Sequence, residues 1–393
     1  MKKIAVLVSN PCTNDARVIR IAEAEAKYGY KVKVFATLQD NTLSNENKNN
    51  VEYFRKQWDL SKDCKRFIPR FIKNKKIKGF LVKRIAKFIK YYSFKNNFKN
   101  ELLSYKPDII HAHDLLTLPL GVEIKKLIGS KLIYDAHELE IYRNPPLKWY
   151  EKIWVNYIEK KYSKYADAVI TVNDSLKNIL KKRLNLKKIY TIRNVPDISV
   201  YNGPTLKETL NFTNREKVLL YVGKVTYNRG LEWVVEYLDK MPLNIHFVCL
   251  GHKDKNFYQN LKKIIKSKNL EDRVHFIDPV PHNYVVEYIK DADIGICAIN
   301  PITKSYYYSL PNKIFEMSMA GLPIIATDLP EIRKTLELFD NGYFFSHKNP
   351  EKIVNLVVKV LNDKIDREKI SKIAREHSWK NESIKIKKVL DEL

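Results

Sequence analysis

The stretch YYYSLPNKIFEMSMAGLPIIATD, residues 306–328, passes from a polar turn into a short helix, then through a glycine into an apolar strand. Pro311 and Asn312 suit a helix start, Ala320 and Gly321 suit a stop, and PIIATD reads as a buried strand. Apolar strands alternate with amphipathic helices in this way almost throughout the chain, the pattern of a parallel sheet covered on both faces. In the first half, strands are predicted from Lys3, Lys31, Asp108, Lys131, Ala168 and Ile189. In the second half they start near Lys217, Asn244, Arg273, Ile294, Pro323 and Gly342. Between the first two strands, DARVIRIAEAEAKYG reads as a helix capped by Asp15 and ended by Gly29.

The fold class that follows is α/β: two doubly wound Rossmann-like domains facing a central cleft. Residues 1–195 form the first. Residues 196–216 carry Pro, Gly, Asn and Thr without apolar periodicity and read as a linker. Residues 217–378 form the second, and a C-terminal helix at about 379–393 is expected to pack back on the first. Open parallel sheets bind ligands beyond the carboxyl ends of their strands, so functional residues are sought there.

Composition narrows the function. The chain has 393 residues and only four cysteines, far apart and without a CxxC pair, which argues against a disulfide framework or a zinc ribbon. No run approaches the roughly 18–20 apolar residues of a membrane span, and the N-terminus lacks a signal-peptide cleavage site. A cytoplasmic protein is expected. The net charge of +26 implies a polyanionic partner: nucleic acid, an anionic membrane surface or phosphate-bearing substrates. Residues 62–106 concentrate it, with fifteen Lys or Arg against Asp63 and Glu101. Within that segment Ile77, Phe80, Leu81, Ile85, Phe88, Ile89 and Tyr92 share one helical face, expected to be mostly core. The outer Lys and Arg would then present a surface suited to anionic lipid.

Two stretches of the second half carry chemistry. Free N–H groups around Ser309 to Lys313, at the start of the helix, would offer a phosphate site, with Lys313 adding charge. Glu316, about one turn further in, is placed to accept hydrogen bonds from the vicinal hydroxyls of a ribose. In YVGKVTYNRG, residues 221–230, Gly223 lets the backbone turn after a strand, and Lys224 and Arg229 could clamp a diphosphate. The triplet DAD at 291–293 invites a DxD metal reading. The echo YADAVITV in the first half, where no metal motif exists, favours a structural role.

In combination, these stretches resemble retaining nucleotide-sugar glycosyltransferases of family 4, with the GT-B fold. The resemblance rests on Lys224 and Arg229, CLGHKD, DADIGICA and LPNKIFEMSMAGLPIIATDLPEI, taken in order. It extends to SNPCTNDARVIRIAEAEAKYGYKVKVFA, PDIIHAHDLLTLPLG and KLIYDAHELE in the first half and SWKNESIKIKKVLDEL at the end. It implies that Glu316 is the second Glu of a Glu-x7-Glu motif and binds the ribose. Tyr308 replaces the first Glu, and LPNK resembles a recognised subgroup. Lys224 and Arg229 match the phosphate clamp with the two cations exchanged, and GHKD keeps only Gly251 of a glycine-rich turn. Gly223, Lys224, Arg229, Tyr308, Ser309, Leu310, Asn312, Lys313 and Glu316 are thus the candidate donor residues. His137 matches a cleft histidine beside donor sugar and acceptor. With Lys224 and Arg229 it makes up the candidate catalytic set, while Asp15, Arg17, His113 and Asp114 are the acceptor-side candidates.

The resemblance implies transfer of a sugar, with retention, from a UDP- or GDP-sugar to a glycan or lipid-linked acceptor. It also implies no cofactor and no metal, although His111 and His113 in HAHD could share a strand face as a metal pair. The basic segment would hold the enzyme peripherally on the inner face of the cell membrane, and nucleic acid is not an expected partner. Two alternatives stay open: a nucleotide-sugar epimerase of the same architecture, and a basic nucleic-acid- or membrane-binding protein without activity.

Overall fold

The computed structural model describes residues 1–68 and 74–393. The chain forms two compact units, one of residues Met1–Arg193 with Ser383–Leu393, the other of Asn194–Glu382.

The first unit is built on eight strands: β1 (Lys3–Leu7), β2 (Lys31–Thr37), β3 (Asn45–Lys48), β4 (Val51–Lys56), β5 (Ile109–His113), β6 (Lys131–Ala136), β7 (Ala168–Thr171) and β8 (Ile189–Thr191). They lie in the order β3-β4-β2-β1-β5-β6-β7-β8, all parallel except β3 against β4. β1 sits where the winding reverses, paired with β2 on one side and β5 on the other. Ile4, Ala5, Val6 and Leu7 are all fully buried, because helices cover both sheet faces and no residue of the strand can point to water.

The second unit has six parallel strands: β9 (Lys217–Val222), β10 (Ile245–Leu250), β11 (Val274–Ile277), β12 (Ile294–Cys297), β13 (Ile324–Thr327) and β14 (Gly342–Phe345). Their order is β11-β10-β9-β12-β13-β14, which puts the reversal at β9. Two apolar clusters, one on each face, sandwich this sheet. Phe247, Leu231 and Val357 belong to one, and Leu220, Ile314 and Met317 to the other.

All twelve predicted strands are present, together with two the periodicity did not announce. β3 and β4 form a hairpin whose central residues, Asn49 and Asn50, both have positive φ (52° and 61°). That is the geometry of a two-residue hairpin turn, so the Asn-Asn pair was the available signal. The paired aspartates before β7 and β12 also have a structural explanation. Asp167 accepts from the Leu132 backbone N–H at 2.7 Å, and Asp293 from that of Val218 at 2.8 Å. Each carboxylate thereby ties the start of one strand to its neighbour. Asp291 accepts from the Lys207 N–H at 2.9 Å, so the DAD triplet is engaged with backbone.

Three expectations are corrected. Residues 196–216 are counted with the second unit and contain a short helix, Leu206–Thr209, held by a capping box between Thr205 and Glu208. Leu206 is fully buried and Leu210 and Phe212 pack on the same core, so T-x-x-E marked a helix start inside the supposed linker. The C-terminal segment is divided. Helix Trp379–Glu382 belongs to the second unit, where the Trp379 N–H donates to the Pro196 carbonyl at 3.1 Å. Helix Ile384–Asp391 packs on helix Ala16–Lys27 of the first.

The third correction concerns the basic segment, whose residues 69–73 lie outside the described residues. Helix Lys75–Tyr105 buries Tyr91, Ser93, Phe94, Phe98 and Leu102 but nothing in its first half. Ile77, Phe80, Phe88 and Tyr92, expected in the core, are exposed. Helical periodicity marks an apolar face but not whether anything covers it.

Candidate functional site

In the second unit a cavity of about 290 Å³ opens at the carboxyl ends of β9 and β10, at the point of strand reversal. Two glycine turns form its floor. Gly223 donates to the Leu250 carbonyl at 2.9 Å. Gly251, at φ +146°, comes so close that an added Cβ would lie 2.3 Å from the Gly223 carbonyl oxygen. Only glycine permits that approach. The Tyr221 hydroxyl donates to the Lys224 carbonyl at 2.9 Å and steadies the loop above.

Helix Asn312–Met319 points its start at the same cavity. It is capped by the Pro311 backbone, and no side chain bonds its first turn. Asn312, Lys313 and Glu316 line the wall beside Lys224 and Arg229. Lys313 is buried, with its Nζ 3.4 Å from the centroid of the Tyr221 ring, a cation–π contact. Burial pushes its pKa down to about 7, and the Arg229 charge works in the same direction while Cys297 and Glu316 oppose it. The Arg229 guanidinium lies 5.1 Å from the centroid of the Tyr306 ring. Cations on turns, free helix amides and a buried carboxylate make a wall that can take an anion and, beside it, hydroxyl groups.

The first unit holds a different assembly at the ends of β5 and β6. The Arg17 guanidinium clasps Asp135 through two hydrogen bonds, of 2.9 and 2.8 Å, and gives a third N–H to the Ile192 carbonyl at 2.8 Å. Burial alone would raise the Asp135 carboxyl. Arg17 overrides this, with His137 next, and holds it well below the usual carboxylate range. His113 Nδ1 lies 3.0 Å from His137 Nε2 and 3.4 Å from Asp135. His113 is fully buried, and burial followed by His111 drives its pKa down. His137 is one-fifth exposed and faces Asp114 at 3.3 Å. Burial would lower its pKa, but Asp114 and then Asp135 outweigh it and hold the ring up at about 9. Asp114, at φ +62°, is raised to about 6 by burial, against the opposing pull of His137.

His111, His113 and Asp135 could between them offer three ligand atoms to a metal ion. Arg17, however, already holds both Asp135 oxygens, and a cation there would sit beside a guanidinium that never loses its charge. His111 Nδ1 is paired with Glu25 at 2.7 Å.

Residues 16–200 match the family described as Glycosyltransferase Family 4, and residues 203–377 match Glycosyl transferases group 1. The chain joins a family 4 to a group 1 glycosyltransferase domain. Among curated relatives, an uncharacterized glycosyltransferase of Methanocaldococcus jannaschii is 25% identical over 316 residues, 73% of this chain and 77% of that one. The alpha-monoglucosyldiacylglycerol synthase of Streptococcus pneumoniae is 23% identical, over 70% of this chain and 65% of its own length. Among solved structures, sucrose-phosphate synthase from Thermosynechococcus elongatus aligns with a TM-score of 0.76 at 18% identity, covering 100% of this chain and 98% of that one. Anabaena HepE in complex with UDP-glucose aligns with a TM-score of 0.73 at 14% identity, covering 100% of both. The fold of this glycosyltransferase is GT-B.

Of the candidate donor residues, Gly223, Lys224, Arg229, Asn312, Lys313 and Glu316 line the one cavity. Tyr308, Ser309 and Leu310 are not in its wall. They form the turn after helix Lys304–Tyr307, where the Ser309 hydroxyl donates to the Tyr306 carbonyl at 2.8 Å. The wall also holds Tyr221, His252, Pro279, Val280, His282 and Val285, none of which the sequence reading singled out. Those from Pro279 onward follow β11, and their one signal was position beyond the carboxyl end of a strand.

In the glycosyltransferase's first unit, His113, Asp114 and His137 come together. Arg17 does not present itself to an acceptor: it is buried, and three of its N–H groups are committed to Asp135 and Ile192. Asp15 caps helix Ala16–Lys27 through the Val18 N–H at 3.3 Å and accepts from Asn10 at 2.8 Å.

Proposed function

We propose that this chain is a retaining, metal-independent glycosyltransferase that moves a sugar from a UDP- or GDP-sugar to a hydroxyl of a glycan or lipid-linked glycan. Cell-surface polysaccharide or glycoconjugate synthesis is the setting. One observation carries the reading. The two glycine turns, the cations Lys224, Arg229 and Lys313, and Glu316 converge on a single cavity beyond β9 and β10. The cations and the start of helix Asn312–Met319 neutralise the diphosphate as it leaves, and Glu316 takes the ribose hydroxyls. The departing phosphate accepts the acceptor's proton on the same face, so no enzymic nucleophile is needed. His137, charged at neutral pH, donates to the donor sugar or the acceptor. The UDP-glucose complex named for Anabaena HepE and the synthase of a glucosyl lipid among the relatives support a nucleotide-sugar donor and leave its base open.

The same reading places the protein in the cytoplasm, on the inner face of the membrane. No helix among the described residues is long and apolar enough to cross a membrane. Ile77, Phe80, Phe88 and Tyr92, exposed on a lysine-rich helix, suit a lipid–water boundary instead.

Calorimetry with UDP, GDP, UMP and GMP tests the donor site. Diphosphate-selective binding that Glu316→Ala and Lys224→Ala both remove is the expected result and identifies the base. A folded protein that binds none of the four overturns the reading. For the membrane, the expected result is flotation with anionic but not with neutral vesicles at moderate salt.

A further inference from the structure

A second cavity, of about 320 Å³, lies wholly in the first unit, where helix Lys75–Tyr105 faces the turn at 143–147 and helix Trp149–Ser163. Phe88, Leu147 and Trp154 make its wall apolar, and Lys87, Lys90 and Arg143 make it cationic. One carboxylate, Glu151, shares the wall and is paired with Lys87, while Glu140 lies 3.7 Å from Arg143 Nη1. Three cations therefore face one wall carboxylate.

Among the described residues, two buried donors on this wall have no partner: Arg143 Nε and Trp154 Nε1. A buried N–H without an acceptor is costly, so an oxygen supplied from outside would be favoured here. Burial, then the Arg143 charge, pushes the Lys90 pKa below its usual value, which an anion between the two cations would relieve. The rim is apolar. Phe88 stacks on Tyr150 at 6.4 Å and meets Trp154 edge-on at 5.7 Å, and Trp149, Ile153 and Phe80 are exposed nearby in sequence on the two helices.

We propose that this cavity seats the phosphate and first methylenes of an anionic phospholipid. Arg143, Lys87 and Lys90 hold the phosphate, and Phe88, Leu147 and Trp154 hold the chain. Its size, at the low end for ligand pockets, suits a headgroup and the start of a chain, not a whole lipid. The proposal rests on the membrane association above and is independent of donor chemistry. It turns a diffuse basic surface into a stoichiometric lipid site.

The test titrates the full-length protein with a short-chain phosphatidylglycerol below its micelle concentration, followed by calorimetry. Inorganic phosphate and short-chain phosphatidylcholine run in parallel. Saturable one-to-one binding of phosphatidylglycerol is expected, weakened at least tenfold by Arg143→Leu and severalfold by Trp154→Phe, with inorganic phosphate at least a hundredfold weaker. An unchanged circular dichroism spectrum and denaturant midpoint check that the variants are folded. Equal binding of inorganic phosphate, no saturable binding, or an Arg143→Leu protein that binds as well as the parent would each overturn the site. Vesicle flotation separates the two ideas. Flotation without monomeric lipid binding sinks the cavity alone, and loss of both sinks the membrane reading as well.

Discussion

The two candidate sites handle charge in opposite ways. In the second unit the cations sit on turns and at a helix start around an open cavity, with backbone groups facing inward. In the first unit Arg17, Asp135 and His113 are sealed from water and matched to one another, and His137 and Asp114 form the edge of that network. An open anion site can lose a member and keep its fold, because water replaces the lost partner. A sealed network cannot, since each charge left behind is buried and unpaired.

The largest effect should come from breaking the sealed side. Arg17→Met removes the partner of a fully buried carboxylate and is expected to cost about 3–5 kcal/mol in denaturant unfolding. Lys224→Ala, by contrast, should leave the midpoint unchanged. If Arg17→Met unfolds like the parent, the contrast between the two regions is wrong.

Next comes Lys313→Met. Losing a charge-assisted contact to the diphosphate should weaken UDP or GDP binding roughly tenfold to hundredfold. Stability should hold or rise, because the folded state no longer buries a cation. Lys313 also sets a pH dependence. Its folded pKa of about 7 lies below the ordinary lysine value, and a bound diphosphate raises it again. Binding should therefore take up a proton above pH 7, and affinity should fall by up to about tenfold per pH unit. Calorimetry in buffers of different ionisation enthalpy measures that proton, which should vanish in Lys313→Met.

The first unit should show a different profile. Turnover is expected between limbs near pH 6, where Asp114 protonates, and near pH 9, where His137 loses its proton. His137→Gln should abolish the alkaline limb in transfer assays while leaving UDP affinity unchanged. The pair also bears on stability. The raised His137 pKa stabilises the fold fully below the ordinary histidine value, and this contribution is lost as pH rises through about 9.

The smallest effect should be at Tyr308. It lies outside the cavity wall, so Tyr308→Glu should shift UDP or GDP affinity by no more than about 0.5 kcal/mol. A larger gain would mean that the turn 308–310 moves to the donor when it binds.

The α/β alternation, the twelve predicted strands, the glycine turn at Gly223 and the helix start at Asn312 were legible in the sequence by itself. Each is dictated within a few residues: a run of apolar side chains, a residue that tolerates positive φ, a proline that opens a helix. The hairpin at Asn49 and Asn50 and the capping box at Thr205 were also written locally, in signals weaker than an apolar run. Tertiary structure alone decided the rest. Arg17 and Asp135 are 118 positions apart, and only the folded sheet turns an expected acceptor-side arginine into the anchor of a buried carboxylate. The depressed Lys313, the elevated His137 and the exposed Ile77, Phe80 and Tyr92 of helix Lys75–Tyr105 have the same origin. Burial and charge pairing depend on what lies across space, and periodicity along the chain carries no record of that.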